Sequence, residues 1–233
     1  MGGLRTIGYC RMSNINSTEQ INTILEFLKE NPGMYSTRKK KNKPDPTTDQ
    51  GIKEIKDIIM DAKKKMVVLK DPTTVPDPLV FYILQNHHGI HKTKKTEVET
   101  QHQWAMAAED IIGELLEQYI DKESVANNSG WVRCYGDTVK GTDFLKKTNK
   151  DLLLLQIKNR DNSENSSSKE IRKSLKDSEG VEILKWFRTF SQTGKTNWDK
   201  FPDDDLKDIL TEKKFFKFVD NWIKTIKKSD TKK

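Results

Sequence analysis

The chain has 233 residues, enough for one sizeable core with a helical subdomain attached, and 33% of them are charged. Lys and Arg outnumber Asp and Glu by 42 to 35, a formal charge of +7 that favours polyanionic partners without naming one. No apolar run, the leucines of residues 152–155 included, approaches the roughly 20 residues of a membrane helix, residues 1–14 hold no signal-peptide block, and Cys10 and Cys134 form no disulfide framework, so a cytoplasmic protein with no membrane association is expected.

No internal repeat appears, which argues against a solenoid. Ser17-Thr18-Glu19-Gln20 reads as a cap before the helical stripe Ile21, Ile24, Leu25 and Leu28, stopped at Asn31-Pro32-Gly33. Residues 38–49 join a basic run to Pro44 and Pro46 and read as an exposed loop. Ile52, Ile55, Ile58, Ile59 and Ala62 give a second helix face, and the prolines of residues 71–78 interrupt it. A shorter helix is predicted over residues 79–86, followed by the turn His87-His88-Gly89. The longest helix is predicted over residues 97–120, with Trp104, Ala108, Ile111, Ile112, Leu115, Leu116 and Tyr119 on its apolar face.

Strand signals follow Asn127-Asn128-Ser129-Gly130. Trp131-Val132-Arg133-Cys134-Tyr135 is short and aromatic, Gly136-Asp137 is a turn, and residues 139–145 are expected as the return strand. Residues 151–158 are the strongest strand, their four leucines implying burial on both faces. Residues 159–169 read as a polar, Ser/Asn-rich loop. Helical periodicity resumes with Val181, Leu184 and Phe187, then with Phe215, Val219, Trp222, Ile223 and Ile226, and residues 229–233 are expected to fray.

Side chains alternate along a strand, so Gln156 and Lys158 share a face. Asp143 lies 13 residues before Gln156, far enough for a strand end, a loop and the next strand, so it can join them. Phosphodiester hydrolysis needs a hard cation, an activated water and a fixed positive charge. Asp143 offers magnesium a carboxylate, Gln156 a neutral oxygen, and Lys158 a charge that orients water or stabilises the transition state. One carboxylate and one amide make a weak site, so a second acid is required. Glu114 and Glu117, three apart on the preceding helix, are the candidates, with Glu117 preferred. A plain surface hairpin with an Asp143–Lys158 ion pair is the competing reading.

The set Glu117, Asp143, Gln156 and Lys158 resembles the PD-(D/E)XK nuclease superfamily, in which a helix glutamate precedes a strand acid and a strand-borne (D/E/Q)-x-K. Thr142 replaces the usual proline, and Gln156 replaces the commoner acid. The run from Gln156-Ile-Lys-Asn-Arg to Ser168, with Lys185-Trp-Phe-Arg-Thr-Phe190 and Thr193-Gly-Lys-Thr-Asn-Trp198, is similar to type II restriction endonucleases of the SinI type over roughly the C-terminal half. The resemblance implies an α/β fold of restriction-endonuclease type, with a mixed central β-sheet flanked by helices and a largely helical N-terminal part. It implies magnesium-dependent double-strand cleavage of double-stranded DNA at GGWCC leaving 5′-phosphates, and a cognate DNA methyltransferase in the same cell. The expected organisation is a helical region, residues 1–96, packed on the core; a nuclease core, residues 97–228; and the tail, residues 229–233.

Asn159, Arg160, Asn162, Ser163, Asn165, Ser166, Ser167 and Ser168 follow the catalytic strand and are candidates for reading base edges, Arg suiting guanine and Asn adenine. Arg172, Arg188, Lys195 and the run of residues 39–43 are candidates for phosphate contacts, which position without specifying sequence. A palindromic site would put one active site on each strand of a homodimer. Residues 191–196 lack the first glycine of a phosphate-binding loop, at Thr189, and His87, His88, His91 and His102 have no zinc spacing. Trp186, Phe187 and Phe190 are expected in the core rather than stacked on bases, and Cys134 is expected to pack in its strand. The alternatives are a repair or junction-resolving nuclease of the same fold and a non-catalytic DNA-binding regulator.

Overall fold

The computed structural model describes residues 17–36, 43–65, 67, 77–148, 152–162, 166–179 and 182–230, except for the side chains of residues 17, 166–168, 171, 177–179 and 227–230. Four helices come first: α1 (Ser17–Glu30), α2 (Asp49–Lys64), α3 (Pro78–His88) and α4 (Lys95–Ala126). The strands β1 (Trp131–Arg133), β2 (Phe144–Lys147) and β3 (Leu152–Arg160) follow, then α5 (Ser166–Glu179), β4 (Ile183–Thr189), α6 (Asp204–Lys207) and α7 (Glu212–Asp230).

Local chemistry sets several boundaries. The Thr48 hydroxyl accepts the Gly51 N–H at 3.1 Å and starts α2, and Gly51 is required because a Cβ there would stand 1.9 Å from the Asp45 carbonyl oxygen. The Asp77 carboxylate caps α3 by accepting the Leu79 N–H at 2.9 Å, and Gly89, at φ 68°, ends the helix in the left-handed region.

The sheet order is β1-β2-β3-β4, with β1, β2 and β3 antiparallel neighbours and β4 parallel to β3 through the α5 crossover. This mixed sheet between helices is the α/β architecture expected from the sequence. Alternation sorts its side chains into two cores. Trp131, Phe144, Leu155, Ile157 and Trp186 face Leu115, Leu116, Tyr119 and Ile120 of α4 and Phe215 of α7. Val132, Leu145, Leu154 and Ile183 face Ile24 and Leu28 of α1, Ile55 and Ile59 of α2 and Leu175 of α5. The central β3 is thus covered on both sides, as its leucine run predicts, although Leu152 at its start is exposed.

Three expectations need correction. The spacing of Val181, Leu184 and Phe187 suggests a helix, but residues 183–189 are β4, because the strand buries every third residue (Ile183, Trp186, Thr189) between its two helix layers; Val181 itself lies outside the described residues. The polar stretch after β3 is a loop only briefly, since α5 begins at Ser166. The return strand is shorter than residues 139–145: Val139 makes only an isolated bridge to Tyr35, and β2 starts at Phe144. Trp186 does belong to the core, from a strand, whereas Phe190 is 38% exposed.

Candidate active site

Asp143 stands directly before β2, where the Val139–Thr142 turn delivers the chain to the sheet. Its backbone N–H donates to the Leu155 carbonyl at 2.9 Å, and its carbonyl accepts the Cys134 N–H at 2.8 Å. Its side-chain Oδ2 accepts the Ile157 N–H at 2.6 Å, satisfying an amide of β3 past the end of the β2 ladder. Burial pushes the Asp143 carboxyl above its usual range, opposed by that amide and by the charges of Lys158 and Arg133.

Glu117 reaches the same region from α4. Burial first, and then the negative charge of Asp143, push it up to about 8, with Arg133 opposing. Arg133, on β1 and 7% exposed, donates to Glu117 Oε2 from Nη2 at 2.8 Å and from Nε at 3.1 Å, and from Nη2 to Glu114 Oε1 at 2.7 Å. Glu114 is 45% exposed against 25% for Glu117, so Glu117 is the helix acid placed to interact with Asp143. Arg133 is the site residue that the sequence reading passed over. Its signal was present: an arginine inside a short apolar strand must find a partner when buried.

The arginine is itself supported from below. Its guanidinium lies 4.9 Å from the Tyr135 ring centre, the Tyr135 hydroxyl donates to Asp121 Oδ2 at 2.5 Å, and Lys63 of α2 stands 5.3 Å from the same ring. Burial raises Asp121 as well. Asp121 Oδ1 and the Ser124 hydroxyl are buried and take no partner among the described residues.

Of the strand pair, Lys158 is half-buried beside Asp143, and its charge acts on that carboxyl. Gln156 is 5% exposed, and its Oε1 accepts a hydrogen bond from Arg172 Nη1 of α5. The structure therefore brings Glu117, Asp143 and Lys158 together, with Gln156 joined to Arg172.

The readers divide. Arg160, Asn162 and Lys195 are exposed. Asn159 Oδ1 accepts the Arg188 Nε–H at 3.0 Å, and Arg188 is ion-paired with Glu212 and lies 5.4 Å from the Phe215 ring centre, so both are tied into the fold. Ser163 and Asn165 lie outside the described residues, as does the run of residues 39–42. Ser166, Ser167 and Ser168 form the first turn of α5, their side chains undescribed.

The chemistry of the donor set fits a hard dication. Asp143 and Glu117 are half-buried carboxylates that burial makes costly to ionise, Glu117 the more so for the charge of Asp143, and a bound Mg2+ would reverse that penalty. The set is lean: among the described residues, no group of three or more His, Cys, Asp and Glu side chains could hold a metal ion. No described helix is long and apolar enough to cross a membrane.

Comparison with known proteins converges on one group. The model of a family described as SinI restriction endonuclease matches residues 10–225. The type II restriction enzyme Eco47I of Escherichia coli is 43% identical over 154 residues, 65% of this chain and 64% of that protein. The type II restriction enzyme SinI of Salmonella infantis is 40% identical over 158 residues, 67% of this chain and 65% of that protein. The matches thus span just under two thirds of either relative's length.

Proposed function

The chain belongs to the SinI restriction endonuclease family, and from that premise we propose that it is a type II restriction endonuclease that makes magnesium-dependent, site-specific double-strand breaks in DNA. The observation that supports this most is the convergence of Glu117, Asp143 and Lys158 at one end of the central strands, two acids with raised pKa beside a lysine.

In this reading Glu117 and Asp143 would hold Mg2+ through carboxylate oxygens. When bound, the ion polarises the scissile phosphate and lowers the pKa of a coordinated water. Asp143 has one oxygen committed to the Ile157 amide and offers the other. Lys158 orients the attacking water and stabilises charge on the phosphate. The water oxygen bonds to phosphorus, the bond from phosphorus to the 3′-oxygen breaks, and that oxygen takes up a proton, leaving a 5′-phosphate. Gln156 adds a neutral oxygen once Arg172, its present partner, turns to a DNA phosphate. Arg133 keeps Glu117 aimed and opposes the rise in its pKa, as a positioning residue. Arg160, Asn162 and the following residues read base edges, GGWCC being the expected site, and a homodimer supplies one active site per strand.

The test is incubation of purified protein with plasmid DNA, with Mg2+ and then with a chelator, followed by sequencing of the ends. Discrete Mg2+-dependent fragments ending in GGWCC-derived 5′-phosphates are expected. Asp143→Ala and Lys158→Ala should each lower cleavage by about 10³-fold or more while leaving specific DNA binding intact. Wild-type cutting by either variant sinks the assignment of these residues, and an intact plasmid sinks the nuclease.

A further inference from the structure

We propose that α3 and the outer half of α4 form the surface through which two copies of this chain pair. The sequence of α3 runs Pro78-Leu79-Val80-Phe81-Tyr82-Ile83-Leu84, apolar all round, which is the pattern of a helix covered on every side. Only Phe81 is buried, while Leu79, Val80, Tyr82 and Ile83 are 44–63% exposed. The 3₁₀ turn at residues 92–94 leads into α4, which is in contact with α3. On α4, Trp104 and Met106 are 42% and 48% exposed.

The size of the patch argues for a standing partner. With roughly 150–250 Å² per large side chain, these six half-exposed residues open on the order of 600 Å², at the top of the range for a monomer's largest apolar patch and most of the ~800 Å² per partner of a standard interface. The charges suit a second copy in antiparallel, two-fold contact. Lys92, Lys94 and Lys95 lie at or just before the start of α4, and Glu109 and Asp110 lie about 22 Å along it, so a two-fold axis between them sets each copy's basic end against the other's acidic stretch. The local pairs Lys94–Glu97 at 3.5 Å and Lys95–Glu99 at 3.9 Å are exposed and exchange readily. The choice of a second copy also rests on the proposed function: a duplex has two strands to cut, and each chain contributes one Glu117–Asp143–Lys158 set.

Sedimentation velocity of the full chain over a range of concentrations tests this. The wild type should be a dimer, and Tyr82→Glu and Ile83→Glu should raise its dissociation constant by about tenfold or more with unchanged far-UV circular dichroism. A wild type that stays monomeric at every concentration, whether the face is bare or covered by the chain's own segments, overturns the proposal; so do variants that remain dimeric. The readout requires no catalysis. A dimer that fails to cut DNA leaves this surface standing and removes the nuclease, and a monomer that cuts does the reverse.

Discussion

One helix, α4, lives in two environments. Its inner half buries Leu115, Leu116, Tyr119 and Ile120 under the sheet and carries Glu117, held by Arg133; its outer half leaves Trp104 and Met106 open and packs little besides α3. The sequence treats the two halves as one amphipathic stripe, but only the inner half meets a sheet. The difference shows that periodicity identifies a face that can be buried, and that the neighbouring elements decide whether it is buried within the chain.

Removing the arginine breaks the comparison most sharply. Arg133→Ala leaves Glu117 in a buried site without its cation and is expected to cost about 3–5 kcal/mol, read from the midpoint of urea unfolding. Arg133→Lys, which keeps the charge but loses the fork, should fall between it and the wild type. A wild-type midpoint for Arg133→Ala would mean that the inner half does not depend on this ion pair.

A second contrast separates the halves by concentration. Leu116→Ala should destabilise by about 2–5 kcal/mol at every protein concentration, because it opens a cavity within one chain. Met106→Ala should lower the melting temperature only where the dimer forms, its effect fading on dilution. Equal, concentration-independent losses would erase the distinction.

Taken per pH unit, the smallest effect is that of acidity. The folded Glu117 carboxyl is raised from its ordinary value of 4.5 to about 8, so the folded protein holds that proton more tightly than the unfolded chain does. Its contribution to stability is full below about 4.5 and is lost as pH climbs toward about 8, with a slope of at most about 1.4 kcal/mol per pH unit. Melting curves of metal-free protein should therefore show a steeper decline over that window for the wild type than for Glu117→Gln. Parallel curves would show that Glu117 ionises as freely folded as unfolded.

Much of the centre was legible because β3 announces itself. Four leucines followed by Gln156-Ile157-Lys158 encode burial and then a polar end, and the two-residue alternation places Gln156 and Lys158 on one face. The strand β4 was hidden because helices on both sides bury Ile183, Trp186 and Thr189 at a spacing of three, which imitates a helix. Arg188 looked like a phosphate contact, since nothing local reveals Glu212, 24 residues away, or the Phe215 ring. Arg133 was overlooked for a related reason: its partners Glu114 and Glu117 lie 19 and 16 residues earlier, on another element. Local pattern finds elements, and partners brought together by the fold stay outside it.

The Asp143 carboxylate has one oxygen fastened to the Ile157 amide, and this makes it a stop at the end of a ruler. The position of the acid relative to the Lys158 backbone is set by which rung of the β2–β3 ladder comes last. A one-residue slip between these strands would move the acid about 3.3 Å along β3 and turn its neighbours to the opposite face. Arg160 and Asn162, both exposed, lie past the β2 ladder, so in the proposed reading substitutions there would alter recognition while the ladder keeps the cutting geometry.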